Sequence, residues 1–262
     1  YKRQVPFLLL QQNARRNTVI QFHKDLVNIL PPDGIASRLV LGLWRRIHRL
    51  VFLSEGLATT AKERFGLDST AISVIPNGLD EEWLRYDAEP REKRRLDVAF
   101  FGRWSPEKGV DDLAEIFGTD RLGDRFSCHV YGANHEQDIQ SNLVFHGWAN
   151  RDTVIDAIRH AVVVLLPSYA EAYPMVLLEA TAVGTPFVST SIAGIPDIAT
   201  ASGGGEVCAP GDVDGLERAL EALLQDEQRW ARASDQGYRW AQSQTAAAMA
   251  GQWSELLADL ET

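Results

Sequence analysis

Cysteine is scarce. Only Cys128 and Cys208 occur among 262 residues, with no CxxC pair, too few for a disulfide scaffold or a zinc cluster, so a reducing, cytoplasmic setting is expected. Long apolar runs are also missing. Runs such as Phe7 to Leu10 and Ala161 to Leu166 fall far short of the roughly 18 to 20 residues a membrane-spanning helix needs. No repeat of solenoid period, low-complexity tract or signal-peptide pattern is visible. The chain opens at Tyr1 without Met, so an N-terminally truncated piece of a longer protein is expected.

What is present is globular: 45% apolar and 24% charged residues, in a length suited to one large domain or two small ones. The net charge of -10 is unevenly spread. Residues 1 to 66 carry eleven Lys/Arg against four Asp/Glu, and the remainder fifteen against thirty-two, so +7 and -17 sum to -10. This split argues against nucleic acid as a partner and leaves an anionic surface or substrate open for the basic part.

Pro6 opens a predicted helix to Arg16, and the β-branched run 18 to 22 reads as a strand with His23 at its end. A helix over 35 to 48, a strand over 50 to 53 and a Ser54-capped helix over 55 to 65 follow. The strand beginning at Ser73 is stopped by Pro76 and turned by Asn77-Gly78. Glu89 to Arg95 is a charged stretch with little to bury, and residues 81 to 95 read as the linker between domains. From Leu96 short apolar strands (97–101, 126–131, 143–145, 162–166, 186–189, 206–208) alternate with helices (109–117, 152–160, 174–183, after Pro196, 213–224). Such alternation means right-handed crossovers and a parallel, doubly wound α/β sheet over 96–228. Its ligand belongs beyond the carboxyl ends of the strands. Residues 229–262 read as helices, with Trp230, Tyr238, Trp240 and Trp253 as anchors, packing back toward the N-terminal part.

Two constellations carry the chemistry. In Gly102-Arg-Trp-Ser-Pro-Glu-Lys-Gly109 a strand ends at glycine, and Arg103 and Lys108 share one strand-to-helix loop as a cradle for an anion. The alternative is two surface cations balancing Asp111 and Asp112. In Pro167 to Glu179, Pro174 reads as the first helical residue, leaving the amides of Met175, Val176 and Leu177 free for phosphate. Glu171 lies ahead of that helix and Glu179 about 7.5 Å along it, so two carboxylates straddle a phosphate site. The alternative is a solvent-facing Glu179 and a Glu171 that complements the helix dipole. The single Asp-x-Asp, Asp212 to Asp214, reads as a helix cap rather than a metal site.

Together these pieces resemble the C-terminal nucleotide-sugar domain of glycosyltransferase family 4, retaining enzymes with the GT-B architecture of two facing Rossmann-like domains. The matching residues are Ile75 to Asp80, Gly102-Arg103, Glu107-Lys108-Gly109, His146-Gly147, Pro167-Ser168 and the pair Glu171 and Glu179. Gly184-Thr-Pro186, Ala193 to Asp197 and Pro210-Gly-Asp212 complete the series, which spans about residues 15 to 225.

The resemblance implies that residues 1–80 are the latter part of an incomplete acceptor-side domain and 96–228 the donor domain. It implies a hexosyltransferase that moves a sugar from a nucleoside diphosphate to a hydroxyl of a sugar, lipid or polysaccharide acceptor with retention, in glycan or polysaccharide biosynthesis. No cofactor or metal is required. Arg103 and Lys108 would hold the diphosphate, Glu179 the ribose and Glu171 the sugar, with Ala172 and Tyr173 beside it. Gly102 would admit the phosphates, and Gly132 and His146 would lie near the base. His23 matches a histidine that reaches across the cleft, with a structural histidine as the alternative. Ala172 and Asp197 stand where many relatives have glycine and glutamate, changes that could reshape the sugar pocket. A sugar-nucleotide epimerase and a non-catalytic nucleotide-sugar binding module remain as other readings.

One segment stands apart. As a helix, residues 35–51 would gather Arg38, Arg45, Arg46 and Arg49 on one face, suited to peripheral contact with an anionic membrane or to a solvated surface.

Overall fold

The computed structural model describes residues 18–23, 35–45, 47–118, 121–132 and 142–260. The helix expected over 6–16 lies outside them. Two parallel sheets organise these residues. The first has order β1-β2-β3, from Val19–Gln21, Arg49–Phe52 and Ile72–Val74, with Ile20 opposite Leu50 and Val51 opposite Ser73. Leu50 and Phe52 enter one core and Val51 another, so β2 is apolar on both faces, as a doubly covered parallel strand must be.

The second sheet has order β6-β5-β4-β7-β8-β9. Its strands are β4 (Leu96–Phe101), β5 (Cys128–Tyr131), β6 (Leu143–Phe145), β7 (Ala161–Leu166), β8 (Phe187–Thr190) and β9 (Gly205–Cys208). Valines and leucines at alternate positions of β7 feed the two opposite cores. The chain winds outward from β4 through β5 to β6, then crosses back and resumes at β7 on the other side of β4. That reversal is the switch point at which open parallel sheets hold ligands.

The helices follow their sequence signals, with two exceptions. Ser54 caps α2 (Glu55–Phe65) by accepting from the Leu57 amide at 3.2 Å, and Gly66 closes it in the left-handed conformation. Helix α1 (Ile35–Trp44) stops short of the expected 48. The arginine-faced helix over 35–51 therefore does not form. The Arg45 guanidinium donates to the Phe65 carbonyl, Arg49 opens β2 and donates to the Thr70 carbonyl at 2.8 Å, and Arg46 lies outside the described residues. Burial of Ile47 and Leu50 between the two elements outweighs continuation of the helix.

The stretch 89–95 also differs from expectation, since it buries Arg94. Arg94 donates to the backbone carbonyls of Glu89, Arg159, Ala161, Val183 and Gly184 and to the Thr185 hydroxyl, and its guanidinium lies over the Trp230 ring. A charge in so dry a place survives because nearly every N–H has an acceptor.

After α3 (Val110–Ile116), α4 (Arg151–His160), α5 (Met175–Ala182), α6 (Ile195–Ser202) and α7 (Val213–Gln225), two helices finish the chain: α8 (Glu227–Ala241) and α9 (Ala246–Asp259). Trp230 of α8 donates its indole N–H to the Val162 carbonyl. Helix α9 returns to the first sheet, where Leu79 exchanges backbone hydrogen bonds with Gln244 and Ala246, and Leu256 packs on Val51 and Ile75. No helix among the described residues is long and apolar enough to cross a membrane.

Candidate functional site

Because β4 and β7 are neighbours, the loops that follow them meet at the switch point. Gly109 makes the meeting close. Its φ is +69°, and a Cβ there would lie 1.9 Å from the Pro167 carbonyl oxygen, so only glycine fits. The Glu107 carbonyl accepts from the amides of Tyr169 and Ala170, which binds the two loops backbone to backbone. The 3-10 turn Pro106–Lys108 then delivers Lys108 to Glu171, with Nζ 2.6 Å from Oε1. Ser168, fully buried just past β7, donates its hydroxyl to the same Oε1 at 2.9 Å.

Arg103 does not join this cluster. Its side chain is 68% exposed against 21% for Lys108, and it pairs with Glu107 across the 3-10 turn. The single cradle of two cations expected from the sequence is therefore one cation in the crevice and one at the rim, held apart by an i,i+4 carboxylate. Asp112, the other acidic candidate, instead accepts the Tyr169 hydroxyl.

Helix α5 begins one residue later than expected. Pro174 is its N-cap, with extended backbone at ψ 114°, and Met175 is the first helical residue. The Leu177 amide donates to the Pro174 carbonyl at 3.2 Å, and the Leu177 side chain is fully buried. Leu177 is thus a core residue rather than a phosphate contact, and the helix start has the amides of Met175 and Val176 to offer. Tyr173 is buried beside them, and burial pushes its phenol up to about 12. The Ala172 carbonyl accepts from the Gly194 amide.

Glu179 lies on α5 within a dry environment. Burial pushes its carboxyl up to about 7, and the Arg151 guanidinium opposes the shift without cancelling it. Arg151, at the start of α4, is itself held by Asp80 at 2.9 Å and Glu82 at 2.5 Å.

A third wall comes from β5 and β6. Phe101, Tyr131 and His146 stack in a row across three neighbouring strands, with ring centroids 5.0 and 4.4 Å apart. His146 Nε2 and His129 Nδ1 are 2.8 Å apart, one nitrogen donating to the other, and burial holds His129 below the usual imidazole range. Gly132, at φ +93°, donates its amide to the Gly147 carbonyl, and a Cβ there would lie 2.9 Å from the Gly102 carbonyl oxygen. Gly102 in turn donates to the Tyr131 carbonyl. Glycines thus let the loops after β4, β5 and β6 converge.

The structure therefore brings Gly102, Lys108, Gly132, His146, Glu171, Ala172, Tyr173, Met175, Val176 and Glu179 to one end of the second sheet, with Arg103 at its rim. His23 is exposed at the carboxyl end of β1, and no hydrogen bond or ion pair among the described residues joins it to Lys108 or Glu171. Asp197 bears on the Tyr173 phenol through its charge and has a structural partner as well. Its carboxylate accepts the Gly56 amide at 2.9 Å and ties α6 to the start of α2. Asp212 caps α7 through the Gly215 amide, as expected. Sequence reasoning gave no role to Ser168 or Arg151; a hydroxyl directly after the strand-ending Pro167 was the available signal for the first. No group of three or more metal-ligating side chains occurs among the described residues.

Comparison with known proteins accords with this arrangement. The family model "Glycosyl transferases group 1" matches residues 85–240. Glycogen synthase of Mycobacterium tuberculosis is 29% identical over 222 residues, which is 78% of this chain and 54% of that protein. Phosphatidyl-myo-inositol mannosyltransferase of Mycolicibacterium smegmatis is 30% identical over 255 residues, covering 89% and 64%. Anabaena HepE, solved in complex with UDP-glucose, superposes with a TM-score of 0.77 at 21% identity, over 98% of this chain and 76% of that one. The chain spans about half the length of the first of these curated relatives. On the family match and the shared architecture, the chain belongs to the group 1 glycosyltransferases and has the GT-B fold.

Proposed function

We propose that this chain carries the donor half of a retaining hexosyltransferase, which moves a sugar from a nucleoside diphosphate to an acceptor hydroxyl. The observation that carries the reading is the Lys108–Glu171 pair at the switch point, with Glu179 on the helix that follows. A diphosphate beside the start of α5 meets Lys108 and the Met175 and Val176 amides, with Arg103 swinging from Glu107 to close the rim. Glu171 accepts hydroxyls of the sugar and Glu179 those of the ribose, while Tyr131 and His146 flank the base. In the reaction the bond from C1 to the phosphate oxygen breaks, the acceptor oxygen attacks from the same face, and its proton passes to the departing phosphate. Negative charge develops on the diphosphate, so preorganised cations and amides lower the barrier and no metal is required. The relatives named for glycogen and mannosyl synthesis, and the UDP-glucose complex of HepE, support this choice of chemistry.

The test is a thermal-shift panel of UDP, GDP, ADP and their sugar conjugates on the native chain and Glu179→Ala. Ligand at about 100 times its Kd stabilises a competent site by roughly 2.7 kcal/mol. A shift with one nucleotide, reduced in the variant, supports the site and names the base. No shift from a folded chain overturns it. With acceptor sugars present, a glycosylated product separates transfer from epimerisation and from binding alone.

A further inference from the structure

We infer that Ser168 is a positioning residue that holds Glu171 by one oxygen, so that the other oxygen alone is presented to the sugar of a bound nucleoside diphosphate sugar. The inference rests on the donor-site reading above and adds to it a residue with no role there.

Ser168 and Thr190 are both fully buried. The Thr190 hydroxyl donates to the Ser168 carbonyl, and its neighbour Ser189 donates to the Leu166 carbonyl at 2.6 Å. Two hydroxyls of β8 therefore pin the backbone on either side of Pro167, whose own φ is fixed by its ring. Ser168 is left with one hydroxyl proton, and it donates that proton to Glu171 Oε1 at 2.9 Å. Lys108 Nζ reaches the same oxygen at 2.6 Å. Both bonds use Oε1 and neither uses Oε2.

The arrangement matters because Lys108 has two claimants. A diphosphate draws the ammonium toward itself, and a glutamate held by Lys108 alone would follow the lysine or lose its orientation. The serine hydroxyl is neutral and anchored from behind, so the phosphates do not compete for it. Ser168 keeps Oε1 occupied while Lys108 changes partner, and the carboxylate plane stays fixed. A hydrogen bond to an ionised group is stronger than one between neutral groups. Its loss is expected to cost about tenfold in affinity for the sugar part of the ligand.

The experiment is calorimetric titration of UDP and UDP-glucose into the native chain, Ser168→Ala, Glu171→Ala and the double variant. Ser168→Ala is expected to bind UDP within about twofold of the native chain and to lose about tenfold of its affinity for UDP-glucose. In the Glu171→Ala background, Ser168→Ala is expected to change neither ligand by more than about twofold. Equal losses for the two ligands, no loss for either, or a further loss in the Glu171→Ala background overturns the inference. If GDP or ADP binds and UDP does not, the same titrations and expectations apply to that nucleotide and its sugar conjugate; failure of all three to bind the folded native chain overturns the inference together with the donor-site reading. Selective failure of the Ser168 effect leaves that reading intact.

Discussion

The two ends of the six-stranded sheet each hold a cation out of water, and they treat it in opposite ways. At the amino end Arg94 spends its donors on carbonyls, one hydroxyl and the face of Trp230. At the carboxyl end Lys108 has its short ion pair with Glu171 beside the serine hydroxyl, and an ammonium with three donors. The first cation is saturated by backbone that cannot move, so it fixes structure. The second is held by a side chain that can change partners, so it is fitted to meet an incoming anion. Burial does not separate these roles; what the cation's partners are able to do does.

The comparison is broken most directly at Arg94. Arg94→Ala leaves several buried carbonyls without a donor and is expected to cost about 3 to 5 kcal/mol of stability, the range for removing one partner of a buried charged network. At roughly 2 to 4 °C per kcal/mol for a chain of this size, melting should fall by at least about 6 °C. A variant that melts within 2 °C of the native chain would show that the hub is redundant.

Glu179 sharpens the comparison from the acidic side. Its folded carboxyl, near 7, lies above the ordinary carboxyl value of 4.5, so the folded state binds the proton more tightly than the unfolded state does. Stability from this group is fully present below about pH 4.5 and is lost as pH rises through about 7. The loss is of order 3 kcal/mol at about 1.4 kcal/mol per tenfold change in proton affinity. Denaturant titrations at pH 5 and 8 should show Glu179→Gln to be the more stable chain at pH 8, with the difference closing at pH 5. Ribose hydroxyls donating to the carboxylate favour its charged form, so nucleotide affinity should instead rise through pH 7, and that rise should vanish in Glu179→Gln.

The smallest stability effects belong to the functional cations. Lys108→Ala is expected to weaken nucleoside diphosphate binding at least about tenfold, roughly 1.4 kcal/mol, while costing less stability than Arg94→Ala, because Glu171 keeps the Ser168 hydroxyl as a donor. Arg103→Ala, at the exposed rim, should weaken binding severalfold and leave the melting temperature within about 1 °C. If Lys108→Ala instead behaves like Arg94→Ala in melting and leaves binding alone, the division of labour between the two ends is wrong.

Much of this was legible in the residues. The alternation from Leu96 onward placed the second sheet's strands to within a residue or two, because parallel strands buried on both faces read as short apolar runs. Ser54 and Asp212 read correctly as caps, because a cap needs only its own helix start. The misreadings share a cause. The length of α1 and the burial of Arg94 are decided by segments far away in sequence. Pro174 differs, since proline is compatible with both the N-cap and the first helical position, and the extended ψ that chose between them is set by the packing of Tyr173 and Gly194. In the site, residue types were legible and partners were not: Lys108 and Glu171 were both singled out, while the hydroxyl between them and the separation of Arg103 needed the loops in place.

The return of α9 to the first sheet has a consequence for how the chain is made. β2 and the segment after β3 are synthesised early, yet Val51 and Ile75 are covered by Leu256, with Met249 and Trp253 packed alongside, and Leu79 finds its backbone partners at Gln244 and Ala246. These contacts span well over a hundred residues of sequence, which makes them slow to form. The second sheet has all its strands by Cys208 and can close on the ribosome while the first still waits for its cover. The apolar face of the earlier sheet is therefore exposed longest during translation, and that interval is where aggregation or chaperone capture would compete with folding.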